Sequence, residues 1–329
     1  MEIVRAGRVG DLEVCDLYLG HANLEARYSK APGLAMVPVP ADAALHEDLR
    51  RLAILCDEAA QHVPAHAAFK VCHDTVNYRG VVVSTGGGKV FLLRRLDNAV
   101  GTLADLGMPQ AYVRRMLTRY LSGLFIVCGE AASGRTTTAC ALLKERLLAH
   151  GGLAMTGEDP IELPLEGAHG GGICFQTTVP RDPLRFGDAF NRLLRAGAAY
   201  ILIDEIDTPE AAAAVLRASI GGRLIVAIMQ AEDIVQSLVK LHAMASERLG
   251  PESTRALLAA GLTAVLHQQM SVNLKSKLKM EAEFLFLGGE PVPRTLLRKG
   301  EYEQLESILR QQRAAMIAES AAVSRFVRS

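Results

Sequence analysis

The sequence predicts an α/β protein: a parallel sheet covered by helices on both faces, a smaller α+β domain before it and a helical segment after it. Three observations predict this. From about residue 120, short apolar runs alternate with stretches of helical period, the rhythm of βαβ units. Those runs are apolar at nearly every position, as strands buried on both faces must be. One of them, Leu124–Cys128, leads through a glycine-containing loop straight into a helical stretch.

Taken in order, residues 1–98 read as the smaller domain. Val14–Leu19 and Gly80–Ser84 are strand candidates. Asp42–Ala60 has helical period, with Leu45, Leu49, Leu52, Ile54 and Leu55 on one broad face. The glycine-rich run Ser84–Lys89 lies before a second strand candidate, Val90–Leu93, so it reads as a hairpin loop. A phosphate loop should open a helix instead. Residues 99–275 form the sheet core. Its predicted strands are Leu124–Cys128, Leu153–Met155, Tyr200–Ile203 and Arg223–Met229. Helices are predicted over Thr136–His150, ended by Gly151-Gly152, over Pro183–Ala196 and over Pro209–Ile220. Residues 276–329 read as mostly helical. Ala231–Ser246, Glu252–His267 and Glu301–Ile317 show helical period, Glu281–Leu287 is a strand candidate, and Gly288–Pro291 is a turn. The tail from Ala318 is expected to fray.

Composition narrows the function classes. Of 329 residues, 50% are apolar, enough for a sizeable core. Lys+Arg and Asp+Glu both number 36, so the formal net charge is zero, which argues against a general electrostatic attachment to nucleic acid or anionic membrane. Aromatic residues make up only 5%, giving no visible base-stacking platform, and no direct nucleic-acid contact is expected. No apolar run approaches the roughly 20 residues of a membrane span, and the first residues lack a signal layout. The expectation is a cytoplasmic protein that meets the inner membrane only through a partner. Cys15, Cys56, Cys72, Cys128, Cys140 and Cys174 form no CxxC pair, so free thiols are expected rather than a zinc or redox site.

The chemistry-bearing stretch is Gly129-Glu-Ala-Ala-Ser133-Gly134-Arg135-Thr136-Thr137. Strand, GxxxxG, a basic residue, Thr and then helix is the Walker A arrangement with Arg135 in the lysine position. Glycines let successive N–H groups curve round a phosphate, the helix N-terminus adds a positive end, and the Thr136 hydroxyl suits Mg²⁺. The bland alternative is a glycine-rich turn of an unrelated α/β protein. Arginine keeps the charge but replaces a compact ammonium with a wide planar fork. About seventy residues on, Tyr200-Ile-Leu-Ile-Asp204-Glu205 is an apolar strand ending in two carboxylates, a Walker B signature. One acid can serve Mg²⁺ and the other can polarise an attacking water. A solvated acidic turn is the alternative. Between the two motifs, Thr156-Gly157-Glu158-Asp159-Pro160-Ile161-Glu162 again brings acids to a strand end.

In that order, these motifs resemble the PilT/GspE family of pilus and secretion ATPases, whose acidic box is TIEDPIE. The resemblance extends to Asn77-Tyr78-Arg79-Gly80 with Leu92-Leu93-Arg94, to Leu257–Gln269 as the helix after the His box, and to Arg298-Lys299-Gly300. It implies a RecA-like P-loop core, 99–275, behind a PAS-like N-terminal domain. It also implies ATP or ADP with Mg²⁺. Gly129, Ser133, Gly134, Arg135, Thr136 and Thr137 would hold phosphates, with Gln230 beside the γ-phosphate. Arg79 and Arg94 would serve as arginine fingers. Thr136, Glu158 and Asp204 would be Mg²⁺ ligands, and Glu205, Glu158 and Arg135 the catalytic set. The implied assembly is a hexameric homo-oligomeric ring on an inner-membrane pilus or secretion platform, with a paralogous ATPase as a possible companion. The chain departs from the family at Arg135, at Asp204 where a Gly is usual, at Asp207 where an Arg is common, at Gln230 where the His box has His, and in Arg195–Ala199, which lacks the acidic stretch. Those departures leave two readings open: a motor ATPase, or a hydrolysis-poor nucleotide-binding subunit.

Overall fold

The computed structural model describes residues 7–11, 14, 16–29, 38–64, 68–96, 99–180, 182–272 and 278–326, with backbone only at 272, 278 and 320–326. It divides into two compact units: Met1–Ala99 with Glu162–Pro164, and the remainder, Val100–Ile161 with Leu165–Ser329. The sequence-based edges at 98/99 and 275/276 involve residues 98, 275 and 276, which lie outside the described set, as does Cys15.

The first unit contains β1 (Asp16–Leu19), β2 (Arg27–Ser29), β3 (Val39–Pro40), α1 (His46–Gln61), β4 (Phe69–His73), β5 (Val76–Thr85) and β6 (Gly88–Leu96). The strands form one antiparallel sheet in the order β3-β2-β1-β6-β5-β4. Strand β4 alternates buried and exposed, as a one-sided sheet requires. Its buried side, with Phe91 and Leu93 of β6, meets Leu49, Leu52 and Cys56 of α1. Ile54 does not join them; it is 61% exposed, because positions 45, 49, 52 and 56 follow the helical repeat and 54 falls outside it. Ser84–Lys89 is a hairpin turn, closed by the Thr85↔Gly88 pair. Cys72 and His73 alternate to opposite faces of β4, and His73 Nε2 bonds Asp48 Oδ1 at 2.9 Å, tying the strand to α1.

The second unit runs α2 (Gln110–Met116), β7 (Gly123–Gly129), α3 (Arg135–His150), β8 (Gly152–Glu158), β9 (Gly167–His169), β10 (Gly172–Thr178), α4 (Pro183–Arg195), β11 (Tyr200–Ile203), α5 (Pro209–Ser219), β12 (Leu224–Gln230), α6 (Ile234–Leu249), α7 (Pro251–Gly261), β13 (Leu262–Val272), β14 (Leu278–Phe286), α8 (Pro291–Lys299) and α9 (Leu305–Phe326). The sheet order is β14-β13-β7-β12-β11-β8-β10-β9. Its six inner strands are parallel, and an antiparallel strand closes each end. All seven residues of β7 are buried, as an apolar run between helical layers demands.

Two expectations are overturned. The helix predicted over Glu252–His267 stops at Gly261, and Leu262 begins β13, between β7 and β14. Leu262, Ala264, Val265 and Leu266 are all fully buried, and a run apolar at every position but Thr263 satisfies either period. Gly261 marks the change, since a Cβ there would lie 1.8 Å from Ser219 Oγ. The tail does not fray at Ala318, because α9 continues to Phe326. Seven of these elements went unread: β2, β3, β4, α2, β9, β10 and α8. The last is closed by Gly300 in the left-handed conformation, φ 80°, with its N–H on the Leu296 carbonyl. Among the described residues no helix is long and apolar enough to cross a membrane.

Candidate nucleotide site

Parallel strands deliver their carboxyl ends to one edge of the sheet, where open α/β folds bind ligands. Here β7 ends at Gly129, β8 at Glu158 and β12 at Gln230, and β11 runs out into Asp204 and Glu205. The register aligns them: Gln230 pairs with Gly129, and Ile203 with Gly157. The Walker A, acidic-box and Walker B residues therefore come together, as their separate motifs predicted.

The loop after β7 is shaped by its glycines. A Cβ on Gly129 would lie 2.2 Å from the Gln268 carbonyl oxygen and 2.6 Å from Ser133 Oγ, so only glycine fits. Gly134 is the N-cap of α3 in the left-handed conformation, φ 83°. No side chain caps that helix, which leaves the first-turn N–H groups of Arg135, Thr136 and Thr137 without intrahelical partners and gives them a positive end. Ser133 Oγ is buried and has no hydrogen-bond partner among the described residues. A glycine cradle, uncapped amides and an orphaned hydroxyl fit an anionic phosphate chain.

Arg135 and Glu205 meet across the edge, Nη1 to Oε1 at 3.4 Å, with side chains 13% and 22% exposed. Glu205 has φ 34°, in the region non-glycine residues avoid. Hydrogen bonds on either side hold it there: Asp204 N–H to the Gly157 carbonyl at 3.0 Å, and Ile206 N–H to the Ile228 carbonyl at 2.7 Å. Strain held in place by its neighbours is characteristic of a working site.

Glu158 is 1% exposed. Its Oε1 accepts from Thr156 Oγ1 at 2.5 Å and from Gln176 Nε2 at 2.8 Å. Gln176 is itself held, because its Oε1 accepts the N–H groups of Leu165 and Glu166 at 2.8 and 2.9 Å. Gln230 is exposed, and its carbonyl accepts from Lys240 Nζ at 3.0 Å. Arg79 and Arg94 belong to the first unit, each in an ion pair: Arg79 with Glu162, and Arg94 with Asp16 at 2.8 Å.

Two residues beside these motifs escaped the sequence reading: Gln176, which holds Glu158 together with Thr156 of the acidic box, and Gln268, whose Nε2 donates to the Ser133 carbonyl at 2.6 Å. A polar pair, Gln268-Gln269, at the end of an apolar run was the available signal for the last.

The model of the family described as "Type II/IV secretion system protein" matches residues 50–324. The chain is 30% identical over 249 residues to the Type II secretion system protein HxcR of Pseudomonas aeruginosa, covering 73% of this chain and 50% of that protein. It is 28% identical over 220 residues to the Type IV pilus ATPase PilU of the same organism, covering 67% and 56%. It thus spans about half the length of these relatives. Among solved structures, the pilus retraction motor PilT with bound ADP superposes with a TM-score of 0.72 at 22% identity, over 92% of this chain and 87% of that one. The ATPase DotB of Yersinia pseudotuberculosis gives 0.69 at 17%, over 91% and 83%. Shared motifs at one sheet edge, a family match over most of the length and this common fold lead to one conclusion: the chain belongs to the type II/IV secretion system protein family of PilT/GspE-type motor ATPases, on a RecA-like fold.

Proposed function

We propose that this chain binds ATP with Mg²⁺ at the Gly129–Thr137 loop and hydrolyses it as one subunit of a hexameric ring that drives a pilus or secretion machine. The observation that carries this reading is the convergence of the uncapped α3 N-terminus, Glu158 and the strained Glu205 on one sheet edge. The Thr136 hydroxyl and the carboxylates of Asp204 and Glu158 are oxygen donors of the kind that suits a hard divalent cation. Bound there, Mg²⁺ supplies charge neutralisation on the phosphates. Backbone N–H groups from Gly134 to Thr137, with Arg135, hold the phosphate chain. Glu205 orients water and takes up its proton, and Gln230 can donate to the γ-phosphate. Arg79 and Arg94 are offered to the γ-phosphate of a neighbouring subunit and must exchange their Glu162 and Asp16 partners to reach it. The ring works at the cytoplasmic side of the inner membrane, on a platform protein.

Steady-state phosphate release by the purified chain tests this. Glu205→Gln should lower turnover by about 10²- to 10³-fold while nucleotide still binds. Unchanged turnover in that variant would refute the assignment. Native mass spectrometry should show a six-subunit species in the presence of nucleotide.

The Arg135–Glu205 pair favours a second reading. A guanidinium engaged with the Walker B carboxylate is withheld from the phosphates, as in a subunit that holds nucleotide and turns it over slowly beside an active paralogue. Under that reading Arg135→Lys raises turnover; under the first it lowers turnover or leaves it unchanged.

A further inference from the structure

We propose that Gln268 is a positioning residue that aims the Gly134 N–H into the phosphate cradle, an inference that rests on the nucleotide site above. Gln268 stands on β13, where the preceding pair His267↔Cys128 brings it level with Gly129 at the end of β7. It is 1% exposed, and its Nε2 donates to the Ser133 carbonyl at 2.6 Å. Ser133 and Gly134 are joined by a trans peptide, in which C=O and N–H point in opposite directions. Holding the carbonyl towards β13 therefore turns the Gly134 N–H away from β13. A phosphate loop needs this polarity, because a carbonyl turned towards a phosphate repels it and an amide attracts it.

Two further observations bear on the assignment. Gln268 Oε1 is buried and has no hydrogen-bond partner among the described residues. A buried orphan acceptor carries a penalty that an apolar side chain of the same size would avoid, so filling space does not explain an amide here. Exchanging its O and N atoms would set two acceptors face to face at 2.6 Å, so the Ser133 carbonyl itself decides which end of the amide meets it. The Gln268 backbone acts on the same loop, since its carbonyl oxygen fills the space a Gly129 side chain would need.

The test is ADP affinity, by calorimetry or fluorescence, for the wild-type chain and for Gln268→Leu, with melting temperature as the folding control. Gln268→Leu should melt like the wild type and bind ADP about 10- to 100-fold more weakly. A folded Gln268→Leu that binds within twofold of the wild type overturns the proposal. Wild-type protein that binds no ADP overturns the site itself. Site-resolved hydrogen exchange on the wild type gives a second measure that survives a misfolded variant. The Gly134 amide should exchange freely without nucleotide and be slowed at least about tenfold by ADP. Slow exchange without nucleotide would mean that the amide is bonded within the protein, and would equally overturn the proposal.

Discussion

Gly129 and Arg135 show how differently two residues of one loop are constrained. At Gly129 space decides: a methyl group would meet a backbone carbonyl, which cannot swing aside as a flexible side chain can. Gly129→Ala should destabilise the second unit by about 1–3 kcal/mol, measured by urea unfolding, and should abolish ADP binding. At Arg135 charge and reach decide, and the side chain spans to Glu205. Both positions were legible from the sequence, because strand, loop and helix start are consecutive. Gln268 was not, since it reaches Ser133 from 135 residues away. The thiols give an independent check at this scale. Burial pushes Cys56, Cys128 and Cys174 up to about 12, whereas Cys72 is exposed. Among the described cysteines, iodoacetamide on the native protein should label Cys72 first, and Cys128 and Cys174 only after denaturation.

At the level of elements, three helices of the second unit begin at side-chain caps. Asp182 caps α4 through the Leu184 N–H, Thr208 caps α5 through Ala211, and Asp233 caps α6 through Gln236 at 2.7 Å. A proline follows at the start of α4 and α5. Asp233→Ala should cost about 1 kcal/mol, read as a lowered urea midpoint at unchanged slope. Like α2, α7 and α8, α3 has no side-chain cap; what sets it apart is the glycine loop from Gly129 to Gly134 that leads into its first amides. Local signals failed at β13. Its first residues continue the apolar pattern of α7, and only the company of β7 and β14 makes them a strand. In the acidic box, consecutive residues place Glu158 at a strand end, whereas Gln176, which holds it, sits on a strand that carries no clear period in the sequence.

For the whole molecule, two imidazoles held away from water, His267 on β13 and His242 on α6, make stability depend on pH. Burial pushes His267 below its ordinary value, against the pull of Glu283, Asp233 and Glu130, and burial does the same to His242. Both rings are therefore neutral in the fold, while the unfolded chain takes up protons near pH 6.5. Their contribution to stability is whole above that value and is lost as pH falls below it towards their folded values. Chemical unfolding from pH 7.5 to 5.5 should show stability falling, and replacing both rings, His242→Gln with His267→Leu, should flatten the slope.

The sequence by itself determined the fold class, the glycine loop between β7 and α3, the acids at two strand ends and the extent of α3, α4 and α5. Each rests on consecutive residues, where backbone period, capping chemistry and glycine conformation act over a few positions. Tertiary structure alone decided the strand order β13-β7-β12-β11-β8, the strand state of Leu262–Val272, the partners of Arg79 and Arg94, and the hold of Gln268 and Gln176 on the site. These depend on which segments pack side by side, and burial against a distant strand outweighs local preference wherever a run is apolar at nearly every position.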